Sequence, residues 1–202
     1  MQQPQRSLEI PLILASASPR RIELLSKLTT KFIAIPSCID EVANGSPEEQ
    51  VIVIARDKAR EVARQQEGII IGADTIVELN GEIIGKPHAR DEAREMLMRL
   101  SGREHRVLTG LFLLSTVTGD SRQACETTLV RFRSLSEREI EAYLDSDEYA
   151  DKAGAYAIQG RASVFVDRIC GDFFNVMGLP LCRLVLLLRE LGLDLLAEPP
   201  IP

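Results

Sequence analysis

Residues 12–28 read LILASASPRRIELLSKL, and this segment decides the fold. Its apolar start predicts a short strand, and its Ser-rich middle predicts a tight turn that opens an amphipathic helix. Ser18 is a good N-cap residue, and Pro19 suits the first helical position because proline lacks the N–H that would remain unpaired there. The segment therefore predicts a strand, a turn and a helix in direct succession.

Two arginines occupy the first turn of this predicted helix, where they are unfavourable. Free backbone N–H groups and the positive end of the helix dipole favour an anion there over additional cations. A local choice that opposes the secondary structure often marks a functional site. The turn would suit a polyphosphate through Ser16, Ser18, Arg20 and Arg21. The alternative is a pair of solvated surface arginines, since the segment matches neither a Walker loop nor a GxGxxG turn.

The composition is that of an acidic globular chain. It has 202 residues, 45% hydrophobic and 27% charged, with a net charge of −6. The length allows one substantial core or two small lobes, and the charge argues against a broad nucleic-acid surface. No apolar run approaches the ~20 residues that span a bilayer, and the N-terminus lacks a signal-peptide pattern. We therefore expect a cytoplasmic protein that binds neither nucleic acid nor membrane.

Cysteine and histidine chemistry is not expected to carry the function. No CxxC pair or zinc-finger spacing links the cysteines, which are Cys38, Cys125, Cys170 and Cys182. This scatter predicts reduced, mostly buried thiols and no structural zinc. His88 and His105 stand among charged neighbours, so both are expected at the surface.

Periodicity outlines the rest of an α/β chain. It predicts helices at 47–66, 90–100, 137–144 and 181–191, and strands at 31–36, 69–77, 82–84, 107–114 and 124–132. A last hairpin is predicted from 164–169 and 172–174. We expect a single domain over residues 8–197, with flexible termini at 1–7 and 198–202 and no internal repeat.

Two charged residues interrupt this apolar pattern, and a third lies on a turn. Lys58 falls on the apolar stripe of its predicted helix, so it either extends to the rim or reaches into a cleft. Asp74 interrupts an apolar strand, and a buried carboxylate requires a cation, a metal or a water-lined cleft. Lys86 lies on a constrained Gly-Lys-Pro turn.

Candidate cations outnumber candidate acids. Residues 151–160, DKAGAYAIQG, add Lys152 and Gln159 among small residues that would let the backbone approach a ligand, although a plain connection has the same composition. Glu41 lies in an earlier loop. The combined set would neutralise a triphosphate, while one or two carboxylates could hold a divalent metal or deprotonate a water.

Several short motifs stand in a particular order. They are SASPRR, Ile39-Asp40-Glu41, RDKA at 56–59, GADTIV, GKP, LSGREH, DKAGAYAIQG and GLPL. Their order over Leu12 to Leu188 resembles that of the Maf family of nucleoside-triphosphate pyrophosphatases. The resemblance implies an α/β fold with a mixed, curved central sheet flanked by helices, in two lobes around a cleft, similar to the inosine-triphosphate pyrophosphatases. It also implies a house-cleaning hydrolysis between the α and β phosphates, with Mg²⁺ or Mn²⁺ as the divalent metal.

The same resemblance implies roles for individual residues. Asp74 would be the general base for the attacking water, and Glu41 would join it in holding the metal. The triphosphate would be bound by Ser16, Arg20, Arg21, Lys58 and Lys86, with Lys152 beside them. A homodimer is also what the family suggests.

The segment at 151–160 resembles the branch of the family that acts on dTTP and UTP, rather than the branch that acts on 7-methyl-GTP. Arg20, Thr75 and Gln159 match the specificity positions of that branch. Ala157 and Arg161 depart from it, since glycine and a small or apolar residue are usual there. The alternative class of function is a non-catalytic nucleotide-binding regulator of septum formation, and pyrophosphate release from a nucleotide panel separates the two.

Overall fold

The computed structural model describes residues 10–197, so the predicted flexible termini at 1–7 and 198–202 lie outside the described residues. The strands are β1 (Leu12–Leu14), β2 (Ile33–Ala34), β3 (Ile69–Leu79), β4 (Glu82–Ile84), β5 (Glu104–Ser115), β6 (Ser121–Phe132) and β7 (Val166–Cys170). The helices are α1 (Pro19–Ser26), α2 (Pro47–Val62), α3 (Arg90–Leu100), α4 (Glu137–Leu144), α5 (Phe173–Met177) and α6 (Leu181–Glu190). Short 3₁₀ turns lie at Ala153–Ala155 and Arg161–Phe165.

The strands form one mixed, seven-stranded sheet, which confirms the predicted fold class. The order is β2-β1-β3-β5-β6-β7, with β4 paired to β3 beside this path. β1 runs parallel to β2 and β3, and the remaining pairs are antiparallel. None of the helices within residues 10–197 is long and apolar enough to cross a bilayer.

The two faces of the sheet bury separate cores, because successive side chains of a strand point to opposite faces. The smaller core lies under α2 and includes Ala55, Ala59, Ile70 and Phe112. The larger core lies on the opposite face and includes Ile69, Ile71, Leu97, Leu111, Leu144 and Leu184. α2 lies unusually close to the sheet, since a Cβ at Gly72 or Gly110 would overlap a carbonyl oxygen of that helix.

The central strand β3 lacks a partner over part of one edge. β1 pairs with Ile69–Ile71, and β4 pairs with Val77–Leu79 farther along the same edge. Among the described residues, no strand pairs with 72–76 on this side. β5 pairs with the other edge from Ile69 to Glu78 without interruption. The sheet therefore has a gap, and Asp74 and Thr75 lie in its middle.

Most predicted elements are present, and the differences have local causes. The predicted strand at 172–174 is wrong, because α5 begins there. Asp172 caps this helix by accepting hydrogen bonds from the N–H groups of Phe174 and Asn175 at 2.7 and 3.3 Å. Ser18 is the N-cap of α1 as predicted, but its side chain makes no capping hydrogen bond. Its N–H instead donates to Ser16 Oγ at 3.1 Å.

The cysteines are free, as predicted, but their expected burial is wrong. Cys38, Cys170 and Cys182 are exposed, and Cys125 is half-buried. Their spacing carried information about pairing and metal binding, whereas burial depends on which face of a strand or helix each residue occupies.

Both histidines were expected at the surface. His88 is exposed as predicted, but the prediction is wrong for His105, which is buried. His105 is 2% exposed because alternation along β5 directs its side chain to the same face as Val107 and into the aromatic part of the larger core. The ring packs edge-on against Phe132 and Tyr156, and Nε2 lies 2.9 Å from the Tyr156 hydroxyl. Burial lowers the pKa of His105 to about 4.

This buried imidazole makes stability pH-dependent. The unfolded chain would protonate His105 near its ordinary pKa of about 6.5, whereas the fold holds the ring neutral down to about 4. The free energy of unfolding should therefore fall as the pH drops from about 6.5 to about 4, with up to about 3 kcal/mol from this residue. Urea unfolding of His105→Gln across this range should give a flatter profile. His88→Gln is the matched control, and identical slopes for all three proteins would contradict the account.

Candidate active site

A cleft of about 510 Å³ opens at the gap in the sheet. It receives residues from the turn after β1, from α1 and α2, from β3 and β5, and from the segments around 86, 155 and 177. Every candidate site residue singled out from the sequence lines it, namely Ser16, Arg20, Arg21, Glu41, Lys58, Asp74, Thr75, Lys86, Lys152 and Gln159. The fold thus brings these residues together from positions spread over most of the chain.

The ammonium group of Lys58 lies between two carboxylates. Its Nζ is 2.8 Å from Asp74 Oδ1 and 2.7 Å from Glu41 Oε1. The side chains of Lys58 and Asp74 are only 6% and 8% exposed. Of the two alternatives for Lys58, the structure therefore has the lysine reach into the cleft. Its ammonium group there compensates the charge of the Asp74 carboxylate, which faces α2 and would otherwise be buried without a partner.

Glu41 connects this buried pair to solvent. Its side chain is 45% exposed, and Oε2 lies 3.9 Å from the Lys86 ammonium group, which is itself exposed. Desolvation opposes ionisation of Glu41, but the hydrogen bond and charge of Lys58, together with the charges of Lys86 and Arg21, lower its pKa below the ordinary value. Glu41 is therefore ionised near neutral pH.

Arg21 makes structural contacts and also faces the cleft. Its Nε donates to the Gly178 carbonyl at 2.9 Å, and its Nη2 donates to Thr75 Oγ1 at 3.0 Å. Burial lowers its pKa, while the charges of Asp74 and Glu41 oppose that shift. Arg20 is half-buried, and its pKa is lowered by burial first and by Arg21 second. The alternative interpretation, in which both arginines are solvated at the surface, is therefore wrong.

The segment at 151–160 is ordered against the site rather than a plain surface connection. The Gly154 N–H donates to the Gly85 carbonyl at 2.9 Å, which ties the segment to the turn that carries Lys86. Lys152 Nζ donates to the Ala150 carbonyl at 2.8 Å, and burial and the charge of Arg20 lower its pKa. Gln159 is exposed at the mouth of the cleft.

The cleft has a charged end and an apolar end, and strand alternation separates them. Asp74 faces α2 and Lys58, whereas Thr75 faces Arg21 and α5. Beyond Thr75 the lining is mainly apolar and consists of Val77, Val107, Tyr156, Ala157, Ile158, Val176 and Met177. An anion fits the first end, and a flat ring fits the second.

Residues at the apolar end were missed from the sequence. Tyr156 is buried, and its hydroxyl is tied to His105 at 2.9 Å. The Gly178 carbonyl orients Arg21 from the loop after α5. Thr109 lies opposite Thr75 in the register of β3 and β5. No local pattern marks any of them, because each acts through a partner that is distant in the chain.

Glu41 and Asp74, the two carboxylates that contact Lys58, could hold a divalent cation. The described part of the chain contains no cluster of three or more carboxylate, histidine or cysteine ligands. Mg²⁺ is commonly bound through one or two carboxylates, with water and substrate phosphates completing its shell. The two carboxylates fit such a metal, provided that phosphate oxygens arrive with the substrate.

The fold and the site together define an α/β protein with a cleft for a polyanionic ligand that carries an apolar or aromatic group. The chain matches the family described as Maf-like protein over residues 11–191, and it belongs to that family.

Similar proteins align with nearly the whole length of this chain. A "dTTP/UTP pyrophosphatase" of Thermococcus gammatolerans is 47% identical, over 93% of this chain and 100% of that protein. Those of Symbiobacterium thermophilum and Bacillus velezensis, with the same name, are 50% and 46% identical, over 90% of this chain and 94% and 97% of those proteins. The resemblance inferred from the motifs is confirmed.

The ion pair at the charged end is open to a stability test. Lys58→Met should lower the free energy of unfolding by about 3–5 kcal/mol, because it leaves the Asp74 carboxylate buried without its partner. Lys58→Met combined with Asp74→Asn should recover most of this loss, since the second change removes the stranded charge. Urea unfolding of both proteins measures the difference. A single variant as stable as the unmodified chain, or a double variant no better than the single one, would contradict the assignment.

Proposed function

We propose that this protein hydrolyses dTTP and UTP between the α and β phosphates and releases the nucleoside monophosphate and pyrophosphate. The observation that carries the proposal is the division of one cleft into a charged end around Asp74 and Lys58 and an apolar end beyond Thr75. A nucleoside triphosphate has the same two parts. The names of the relatives support the same reaction and the same bases.

The triphosphate would lie against the cations of the charged end. Arg21 already uses Nε and one N–H of Nη2 within the protein, so its remaining N–H groups are the ones assigned to phosphate. Arg20, Lys86 and Lys152 would contribute further charge from the rim, and Ser16 would contribute a hydroxyl from the turn after β1. Such groups stabilise charge that develops on phosphate oxygens in the transition state.

Asp74 would act as the general base. Lys58 engages Oδ1 at 2.8 Å, and we assign acceptance of the water proton to Oδ2. The buried lysine would orient the carboxylate, and the half-exposed Glu41 would open a route for the proton to solvent.

Glu41 and Asp74 would hold the divalent cation, Mg²⁺ or Mn²⁺. When bound, this ion would neutralise phosphate charge and polarise the bond that breaks. Lys58 would remain beside both carboxylates and limit the negative charge that the ion has to balance.

Base preference would depend on Arg20, Thr75 and Gln159, all of which line the cleft. The two departures from the dTTP/UTP branch differ in position. Ala157 is buried and lines the apolar end, so it is in a position to affect the fit of the base. Arg161 is exposed, and its N–H donates to Glu148 Oε2 at 2.8 Å. We therefore expect Ala157, rather than Arg161, to affect base preference.

A homodimer, a cytoplasmic location and the absence of nucleic-acid binding stay predictions from the sequence. Sedimentation of the purified chain would measure the first.

The reaction itself is the test of the proposed function. With Mg²⁺ or Mn²⁺, the purified protein should convert UTP and dTTP to the monophosphate and pyrophosphate. Nucleoside diphosphate and orthophosphate as primary products would contradict cleavage between the α and β phosphates. Nucleotide binding without turnover would favour the regulatory alternative, and turnover confined to 7-methyl-GTP would place the chain in the other branch.

Asp74→Asn tests whether Asp74 is the general base. It should reduce turnover by about 10²–10⁴, because the amide cannot accept a proton from water. The protein should remain folded, since Lys58 keeps Glu41 as a partner at 2.7 Å. Full turnover by a folded variant would remove Asp74 as the base.

Lys86 allows a cleaner test of the phosphate site than Arg21 does, because its side chain is 55% exposed. Lys86→Ala should lower kcat/KM for UTP about ten- to a hundredfold, as expected for loss of one charge-assisted contact, with Tm unchanged. Lys27→Ala is the matched control, since Lys27 is exposed, pairs with Glu23 of α1 and is not among the residues that line the cleft. Equal kinetics for the two variants would remove Lys86 from the site.

A further inference from the structure

A chain of hydrogen bonds runs from Arg21 through two threonines to α5. Arg21 Nη2 donates to Thr75 Oγ1 at 3.0 Å. Thr75 Oγ1 and Thr109 Oγ1 are 3.0 Å apart. Thr109 Oγ1 donates to the backbone carbonyl of Asn175 at 3.1 Å. These hydrogen bonds connect α1, both central strands and α5.

The protons in this chain can point in only one direction if every bond is made. A hydroxyl group has a single proton to donate. The proton of Thr109 goes to the Asn175 carbonyl, because a carbonyl oxygen can only accept. Thr109 must then accept from Thr75, which commits the Thr75 proton. Arg21 takes one acceptor position of Thr75, so Thr75 can offer a ligand only its remaining lone pair.

The far end of the chain is fixed, so this direction is not easily reversed. Asn175 and Thr109 are fully buried. Asn175 Nδ2 donates to the Val107 carbonyl and to Thr128 Oγ1, each at 3.0 Å, which anchors α5 to β5 and β6. Without the Thr109 proton, the carbonyl of Asn175 would keep only the N–H of Gly178. Reversing the two threonine hydroxyls would therefore lose a buried hydrogen bond.

Thr75 is also at the right end of the cleft to meet a base. It belongs to the face of the sheet that carries Val77 and Val107, opposite to the face on which Asp74 meets Lys58. Its side chain is half-buried and lines the cleft. A polar atom in this mainly apolar lining would orient whichever ring enters.

We propose that Thr109 is a positioning residue that holds Thr75 as a hydrogen-bond acceptor, so that the cleft selects a pyrimidine with an N–H at ring position 3. Uracil and thymine carry this N–H, whereas cytosine has a lone pair there. Two acceptors facing each other form no hydrogen bond, and both lose their water. The inference rests on the proposed function and assigns the discrimination of uracil and thymine from cytosine to a residue that does not touch the ligand.

Thr109→Val tests this assignment with little change of shape. The variant cannot accept the Thr75 proton, which becomes free to turn toward the base. The ratio of kcat/KM for UTP to that for CTP should fall about three- to tenfold, as expected for one neutral hydrogen bond. Thr109→Ser restores a hydroxyl and should restore the ratio. Melting curves for each protein report on folding. A purely structural role of Thr109 would lower kcat/KM for UTP and for CTP by the same factor and leave their ratio unchanged.

The outcomes separate this inference from the proposed function. No pyrophosphate release from UTP or dTTP by the unmodified chain would defeat the proposed function. Turnover of UTP without preference over CTP, or an unchanged ratio in a folded Thr109→Val protein, would overturn the inference alone. If Thr109→Val does not fold, N3-methyl-UTP tests the contact on the unmodified chain. It should be a poorer substrate than UTP, and equal kcat/KM values would overturn the inference.

Discussion

The missing partner along 72–76 of β3 is the constraint on which the site depends. β1 stops after Leu14, and β4 begins to pair only at Val77, so a buried central strand is left open on one edge. Backbone groups in such a gap must face loops, water or a ligand, because none of the strands within residues 10–197 pairs with them on that edge. The turn that follows β1 places Ser16 at this opening, and the first turn of α1 places the two arginines there. A sheet that continued without interruption would leave no cleft at this point.

The gap also explains how one cleft can reach both faces of the sheet. Neighbouring residues of a strand point in opposite directions, so Asp74 and Thr75 serve opposite ends of the cleft from adjacent positions. On the α2 face, a buried lysine balances a carboxylate at the cost of desolvating both charges. On the α5 face, the two threonine hydroxyls and a backbone carbonyl are hydrogen-bonded in series, and Arg21 is the charged group that contacts them. Under the proposed function, phosphate chemistry and base recognition would therefore depend on opposite faces of the sheet, and Arg21 would contact both sites.

Local sequence was sufficient for features that depend on local physics. The strand, turn and helix at 12–26 follow from apolar spacing and Pro19, and Ser46 caps α2 through a reciprocal contact with Glu49. Lys58 and Asp74 were identifiable because each charge breaks an apolar pattern. Lys152 and Gln159 were indicated by a loop of small residues that would let the backbone approach a ligand, and the resemblance to the family added to that indication.

The failures share a dependence on distant partners. His105 has charged neighbours in the chain, yet alternation in β5 turns its ring into an aromatic core that includes Tyr156, 51 residues away. Residues 172–174 resemble a strand until Asp172 is seen to cap a helix. Thr109 is an ordinary strand residue whose importance depends on the register that sets it opposite Thr75, 34 residues earlier. Such register is fixed by the whole sheet and cannot be obtained from a short window.

The most direct measurement for the account is a crystal structure with α,β-methylene-UTP, in which the scissile oxygen is replaced. The account predicts that the α and β phosphorus atoms lie at the end formed by Asp74, Lys58 and Arg21, with the uracil ring between Thr75 and the apolar residues around Val107. It further predicts that N3 lies within hydrogen-bonding distance of Thr75 Oγ1. A nucleotide bound in the reverse orientation, or with its base outside the cleft, would contradict the division of the site on which the account rests.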